Sequence, residues 1–160
     1  MARYLICSDI HGEEERLEFA FYRKKDIKTV IVCGDLEFET YDIEEIIRRN
    51  TSRSIDIRMV RGNCDAFFSS SASVPDFISF DLTPTHRVFV THGHLFRASY
   101  QLMAEAARQN NCDTVIFGHT HRQVDTIEYG VRFLNPGAIK SGNYMLIDTL
   151  DNGEFEVTLR

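Results

Sequence analysis

No apolar run in this sequence approaches the ~20 residues that a membrane-spanning helix needs. Basic charge is also short: 18 Lys+Arg stand against 24 Asp+Glu, for a formal net charge of −6. That balance argues against undirected binding to nucleic acid or to an anionic membrane surface. Cysteine is sparse, and Cys7, Cys33, Cys64 and Cys112 form none of the close pairs of a zinc site. A chain with a core of this size needs no disulfide framework. Cys7 and Cys33 close apolar runs, where a free thiol acts as a small hydrophobe. The run from Tyr4 to Cys7 meets Asp9 too early for a signal peptide. There is no internal repeat. The one biased stretch, Phe67 to Ser73, is too short for a linker and reads as a loop. With 43% hydrophobic and 26% charged residues, disorder is excluded. The expectation is an acidic cytoplasmic protein of one domain over residues 1–160.

The first half alternates short buried strands with helices. Tyr4 to Cys7 reads as a strand. Glu13 to Lys25 reads as a helix, with Leu17, Ala20, Phe21 and Lys24 on one face. A strand at Thr29 to Cys33, a helix at Tyr41 to Asn50 and a strand at Ile55 to Val60 follow. This β-α-β-α-β order favours a parallel sheet covered by helices. The second half is richer in strands: Phe77 to Leu82, Arg87 to Thr91, Thr114 to Phe117, Val124 to Tyr129, Val131 to Leu134, Tyr144 to Ile147 and Phe155 to Leu159. Among them lies one helix, Ser99 to Asn111, with Leu102, Met103, Ala106 and Ala107 apolar. A mixed α/β sandwich of two sheets with helices outside is the natural closure.

Polar, metal-competent residues gather just beyond the buried strands. Asp9-x-His11 follows the first, Gly34-Asp35 the second and Gly62-Asn63-Cys64-Asp65 the third. Later strands deliver His92-Gly93-His94 and Gly118-His119-Thr120-His121. In open α/β sheets the ligand crevice lies outside the carboxyl ends of the strands. Each motif alone is weak, since a strand-terminal Gly-Asp is usually a turn and a lone histidine is usually structural. Together they hold five of the six histidines, and that clustering points to a metal or catalytic site. Carboxylate, imidazole and amide donors suit manganese first, with nickel, iron and zinc as alternatives, and thiolate ligands are not evident. A carboxylate has two oxygens and can bridge two metals in a hydrolytic site.

In these five motifs and their order the sequence resembles the calcineurin-like metallophosphoesterases, and most closely their small single-domain, YfcE-type phosphodiesterase branch. The resemblance runs from Asp9 to His121 and extends to the tail residues Asn135-Pro136-Gly137-Ala138. It implies a four-layer αββα sandwich of two mixed sheets flanked by helices, with a dinuclear site at the strand ends. It further implies that Asp9, His11 and His121 hold one divalent metal ion. Asn63, His92 and His119 would hold a second, and Asp35 would bridge both. His94 would support the site or touch substrate rather than ligate, and Asp65 would orient its loop. Cys64 stands where the wider family has a histidine that contacts phosphate and protonates the leaving group. Weak hydrolysis of poor leaving groups is therefore expected.

The function expected is phosphoester hydrolysis by a metal-activated hydroxide, on a small phosphodiester rather than a monoester. The motifs hold no cluster of Arg or Lys for a dianion; Arg61, Arg97 and Arg122 stand singly. The alternative is a non-catalytic protein-binding scaffold like the retromer subunit of the same fold. Intact ligand positions weigh against it. A nuclease is disfavoured by the absence of a basic tract. A homodimer or higher homo-oligomer is a prior from the family. Phe67 and Phe68 are expected to pack into the fold or an oligomer contact, with stacking on a base or aryl group as the lesser option.

Overall fold

The computed structural model describes residues 1–24 and 26–160. Ten strands and three helices follow in the order β1 (Arg3–Cys7), α1 (Glu14–Phe21), β2 (Ile27–Val32), α2 (Thr40–Asn50), β3 (Asp56–Met59), β4 (Phe77–Asp81), β5 (Arg87–Thr91), α3 (Tyr100–Gln109), β6 (Thr114–Ile116), β7 (Gln123–Glu128), β8 (Val131–Pro136), β9 (Met145–Thr149) and β10 (Phe155–Leu159). They build two five-stranded mixed sheets, ordered β10-β9-β1-β2-β3 and β4-β5-β6-β8-β7. In the first, β1, β2 and β3 run parallel and β9 returns antiparallel against β1. In the second, β5, β6 and β8 run parallel, with β4 and β7 as antiparallel edges.

Strand periodicity divides the apolar residues among three layers of contact. Successive side chains on a strand point to opposite faces. Leu5, Cys7, Val30 and Val32 thus meet Leu17, Ala20 and Phe21 of α1 and Ile43, Ile46 and Ile47 of α2. Their neighbours Ile6, Ile31 and Cys33 face Val88, Val90, Ile116 and Leu134 of the other sheet. On the far side Phe89, Val115 and Phe133 pack under Met103, Ala104 and Ala107 of α3. The result is the expected four-layer αββα sandwich.

Three local expectations are corrected. The first helix ends at Phe21 rather than running on. The Tyr22 N–H caps Phe19 O, and Arg23 turns left-handed at φ 59°. No glycine or proline marks that stop. Lys24 is therefore off the helix, and the expected end at Lys25 lies outside the described residues. In α3 the buried face is Met103, Ala104 and Ala107, while Leu102 is 43% exposed and Ala106 only half-buried. Ser99 caps that helix by accepting the Leu102 N–H at 3.3 Å. Finally, the segment read as a loop, Phe67 to Ser73, holds the 3-10 turn Ser69–Ser73, and a second such turn, Asn63–Phe67, leads into it. Turns this short carry no periodic signal. No helix among the described residues is long and apolar enough to cross a membrane.

Candidate metal centre

Parallel pairing between β1 and β2 does not stop at the strand ends. The N–H groups of Asp9, Ile10 and Gly12 donate to the carbonyls of Gly34, Asp35 and Leu36, so the two loops run side by side. Asp9 and His11 in one loop, and Asp35 and Glu37 in the other, all adopt left-handed backbone (φ 48–56°). His119 and His121 repeat the same alternation at φ 66° and 60°. A non-glycine residue in this region costs energy and survives only where its surroundings hold it, which is typical of functional loops. Close approach of the loops also demands glycine at two positions. A Cβ on Gly62 would collide with the Asp35 backbone nitrogen and Oδ1, and one on Gly118 with the side chains of Ser8 and Asp9.

The expected residues converge into two sets that meet at Asp35. Asp9 is fully buried; its Oδ2 accepts the Ser8 hydroxyl at 2.6 Å and the His119 N–H at 3.0 Å. Its Oδ1 is left facing His121 Nε2 at 3.1 Å and His11 Nε2 at 3.5 Å. Those two ring nitrogens lie 3.4 Å apart. Asp35 repeats the device. Its Oδ1 accepts the Cys64 N–H at 2.8 Å, and its Oδ2 faces His92 Nε2 at 3.2 Å and His11 Nε2 at 3.8 Å. Ligand atoms of Asp9, His11 and His121 lie within 4.8 Å of one another, and so do those of Asp35, His92 and His119.

Tautomers follow from the outer contacts of the rings. His92 Nδ1 donates to the Cys33 carbonyl at 2.6 Å, and His11 Nδ1 donates to Glu37 Oε1 at 2.9 Å. With Nδ1 held by those outer acceptors, the Nε2 of each ring is turned inward. His92 Nε2 meets Asn63 Oδ1 at 3.1 Å as well as Asp35. Acceptors crowded on acceptors repel unless a proton or a cation lies between them, so this donor set fits a bound cation. The charges respond in the same sense. Burial opposes ionisation of Asp35, but the hydrogen bond and charge of His92 and the Cys64 N–H outweigh it and hold the carboxyl well below its usual range. Burial would lower His92, yet Asp35 and Asp9 raise it. His94 and His119 are lowered by burial and by the neighbouring His92.

The remaining expected residues sit around these sets. The His94 ring lies 5.4 Å from that of His92 and 6.3 Å from that of His119. Its Nδ1 is the one buried side-chain polar atom without a hydrogen-bond partner among the described residues. Asp65 is buried, and its carboxylate accepts three backbone N–H groups: Asp35 at 3.0 Å, Leu36 at 2.8 Å and Gly62 at 2.7 Å. Cys64 departs from expectation. Its Sγ joins His11 and Asp35 within 4.8 Å, so a sulfur donor does stand at the site. Burial and the adjacent Asp35 carboxylate push this thiol up to about 11. Phe67 is 90% exposed and does not pack into the fold.

Two contributors, Glu37 and Ser8, were not singled out from the sequence, and Asn135 was named only as part of the tail. Glu37 orients His11, and Ser8 occupies one oxygen of Asp9. Asn135 braces the last histidine loop through Gly118 O at 2.9 Å and Thr120 Oγ1 at 3.2 Å. Glu37 had a signal available, since it stands two residues beyond Asp35 as His11 stands beyond Asp9.

Comparison with known proteins finds relatives along nearly the whole chain. A family model described as the calcineurin-like phosphoesterase superfamily domain matches residues 3–152. Phosphodiesterase YfcE of Escherichia coli K12 is 26% identical over 98% of this chain and 91% of its own length. Among solved structures, a protein of Streptococcus pneumoniae described as a predicted phosphoesterase superposes with a TM-score of 0.74. It is 25% identical and covers 99% of this chain and 90% of its own. Vacuolar Protein Sorting 29 of Cryptosporidium parvum shares the fold at 18% identity, with a TM-score of 0.67 over 99% of this chain and 96% of its own.

Proposed function

Since the chain belongs to the calcineurin-like phosphoesterase superfamily, we propose that it is a phosphodiesterase whose site holds two divalent cations. The observation that carries this reading is the position of Asp35 Oδ2, which faces His11 of one ligand set and His92 of the other. Asp9, His11 and His121 would hold one cation, Asn63, His92 and His119 the other, and Asp35 both. Manganese fits the donors, as do nickel, iron and zinc. When bound, the pair supplies an activated water nucleophile and neutralises charge on an in-line phosphoryl transition state. The rest falls to the chain's own groups. His94, its ring 5.4 Å from that of His92 and its Nδ1 without a partner, would turn a ring nitrogen to a substrate oxygen. Asp65 fixes the Asn63–Cys64 turn against the Asp35 loop.

Manganese loading followed by elemental analysis is the direct test: two metals per chain are expected, and one or fewer at saturation would overturn the dinuclear reading. Substrate charge gives a second check. Arg61 is tied to Asp76 at 2.8 Å and is not free to hold a dianion, while Arg97 and Arg122 are exposed singles. A bis-aryl phosphodiester is expected to exceed the matched monoester in kcat/KM by about tenfold or more. The reverse order would count against a diesterase.

Cys64 yields a third expectation. A thiol is a weaker acid than an imidazolium, and an aryloxide leaves without a proton donor. Cys64→Ser is expected to leave aryl diester hydrolysis within about twofold, and Cys64→His to raise alkyl phosphate hydrolysis by about 10²-fold. A large loss in Cys64→Ser with metal content preserved would make the thiol a catalytic group. The second reading, a protein-binding scaffold, draws support from the fold likeness to Vacuolar Protein Sorting 29 alone. A fully metal-loaded protein that turns over no ester in such a panel would favour it.

A further inference from the structure

The 3-10 turn Asn63–Phe67 carries more than the three residues already placed at the site, Asn63, Cys64 and Asp65. In a 3-10 helix, side chains three apart eclipse one another. Burial follows that period here. Asp65 is buried and Phe68, its partner at the C-cap, is half-buried; Asn63 and Ala66 are exposed, although Asn63 still reaches His92 Nε2 through its Oδ1 at 3.1 Å. The third face is Cys64 with Phe67. Cys64 Sγ lies within 4.8 Å of the ligand atoms of His11 and Asp35, so this face opens on the metal centre. By the three-residue period Phe67 falls on the same face one turn along, about 6 Å up the helix axis.

The backbone under Phe67 is pinned on both sides. Before it, Asp65 accepts the N–H groups of Asp35, Leu36 and Gly62. After it, Glu39 accepts the Ser70 N–H at 2.9 Å, and the Ser70 hydroxyl accepts the Thr40 N–H at 2.8 Å. An aromatic ring on a fixed backbone gives up little conformational freedom when something stacks on it. Phe67 nevertheless remains 90% exposed, with its ring free for a ligand.

We propose that Phe67 is a specificity-determining wall at the rim of the metal centre, stacking on a planar ring carried on one ester arm of the substrate. The preferred substrates are then phosphodiesters with an aromatic arm attached directly to the phosphate. This rests on the phosphodiesterase reading, and the test separates the two. Two probes without any ester bond to cleave are titrated calorimetrically into manganese-loaded protein: diphenylphosphinate and dimethylphosphinate, both monoanions. Wild type is expected to prefer the diphenyl compound. Phe67→Ala should weaken it about three- to tenfold, leave dimethylphosphinate unchanged and keep the melting temperature; Phe67→Tyr should retain the preference. In turnover, Phe67→Ala should raise KM for a bis-aryl diester with kcat unchanged. Equal affinities in Phe67→Ala and wild type, or equal weakening of both probes, would overturn the role of Phe67 and leave the phosphodiesterase reading standing. A metal-loaded wild type that binds neither phosphinate would overturn that reading and this inference with it.

Discussion

Asp35→Asn is expected to lower phosphodiester turnover by about 10³-fold or more while leaving the protein folded. The loss follows from position. Asp35 Oδ2 is the oxygen common to both ligand sets, facing His92 Nε2 at 3.2 Å and His11 Nε2 at 3.8 Å. An amide keeps the size of the side chain but supplies one weaker oxygen, and the charge that should hold two cations together is gone. A barrier increase of about 4 kcal/mol corresponds to that fall in rate. The protein should stay folded with a modest loss of stability, because the amide oxygen can still accept the Cys64 N–H while the favourable charge beside His92 is gone. The measurements are kcat/KM on an aryl diester, metal content by elemental analysis and thermal melting. Full metal content with near-normal turnover would refute the assignment.

Asp65→Ala should do the opposite: it should damage the fold first and turnover in consequence. Its carboxylate is buried and accepts three backbone N–H groups from two different loops. Truncation strands all three donors in a dry environment. Each orphaned donor costs about 1–3 kcal/mol, and the combined loss, which is not additive, should reach about 3–5 kcal/mol. For a chain of this size that lowers the melting temperature by about 10 °C. Activity measured well below the transition should fall as well, since Asn63 and the Asp35 loop lose their shared anchor. A variant that melts like wild type would show that solvent or another group replaces the carboxylate.

Much of this arrangement was legible because its parts are written consecutively. Apolar runs such as Leu5-Ile6-Cys7 and Val30-Ile31-Val32-Cys33 name the strands, and Asp9 and Asp35 follow at once. Two-layer burial on each sheet also follows from period-two alternation, which is why the sandwich could be expected. Other features lack a local code. The left-handed backbone at Asp9, His11, Asp35, His119 and His121 uses no glycine, so composition gives no hint of it. Tertiary hydrogen bonds, such as Asp9 N–H to Gly34 O, hold these residues there. Glu37 looks like any surface acid until the β1 and β2 loops are laid side by side. For Phe67 only packing into the fold is ruled out, for a related reason: the hydrophobicity of a residue does not say which face of a one-turn helix it takes.

Strand β1 has a further consequence, which concerns synthesis rather than catalysis. It sits inside its sheet, with β2 on one side and β9 on the other, and its partners on β9 run from Met145 to Asp148. A ribosome therefore releases β1 with one edge unpaired and leaves it so until β9, about 140 residues later, has emerged. Asp9 waits in the same way for His121, 112 positions downstream. Such long sequence separations slow folding, and an unpaired apolar edge invites association with other chains. Nascent chains arrested before β9 should accordingly recruit chaperones or aggregate, and should display no cation affinity until the second sheet joins the first.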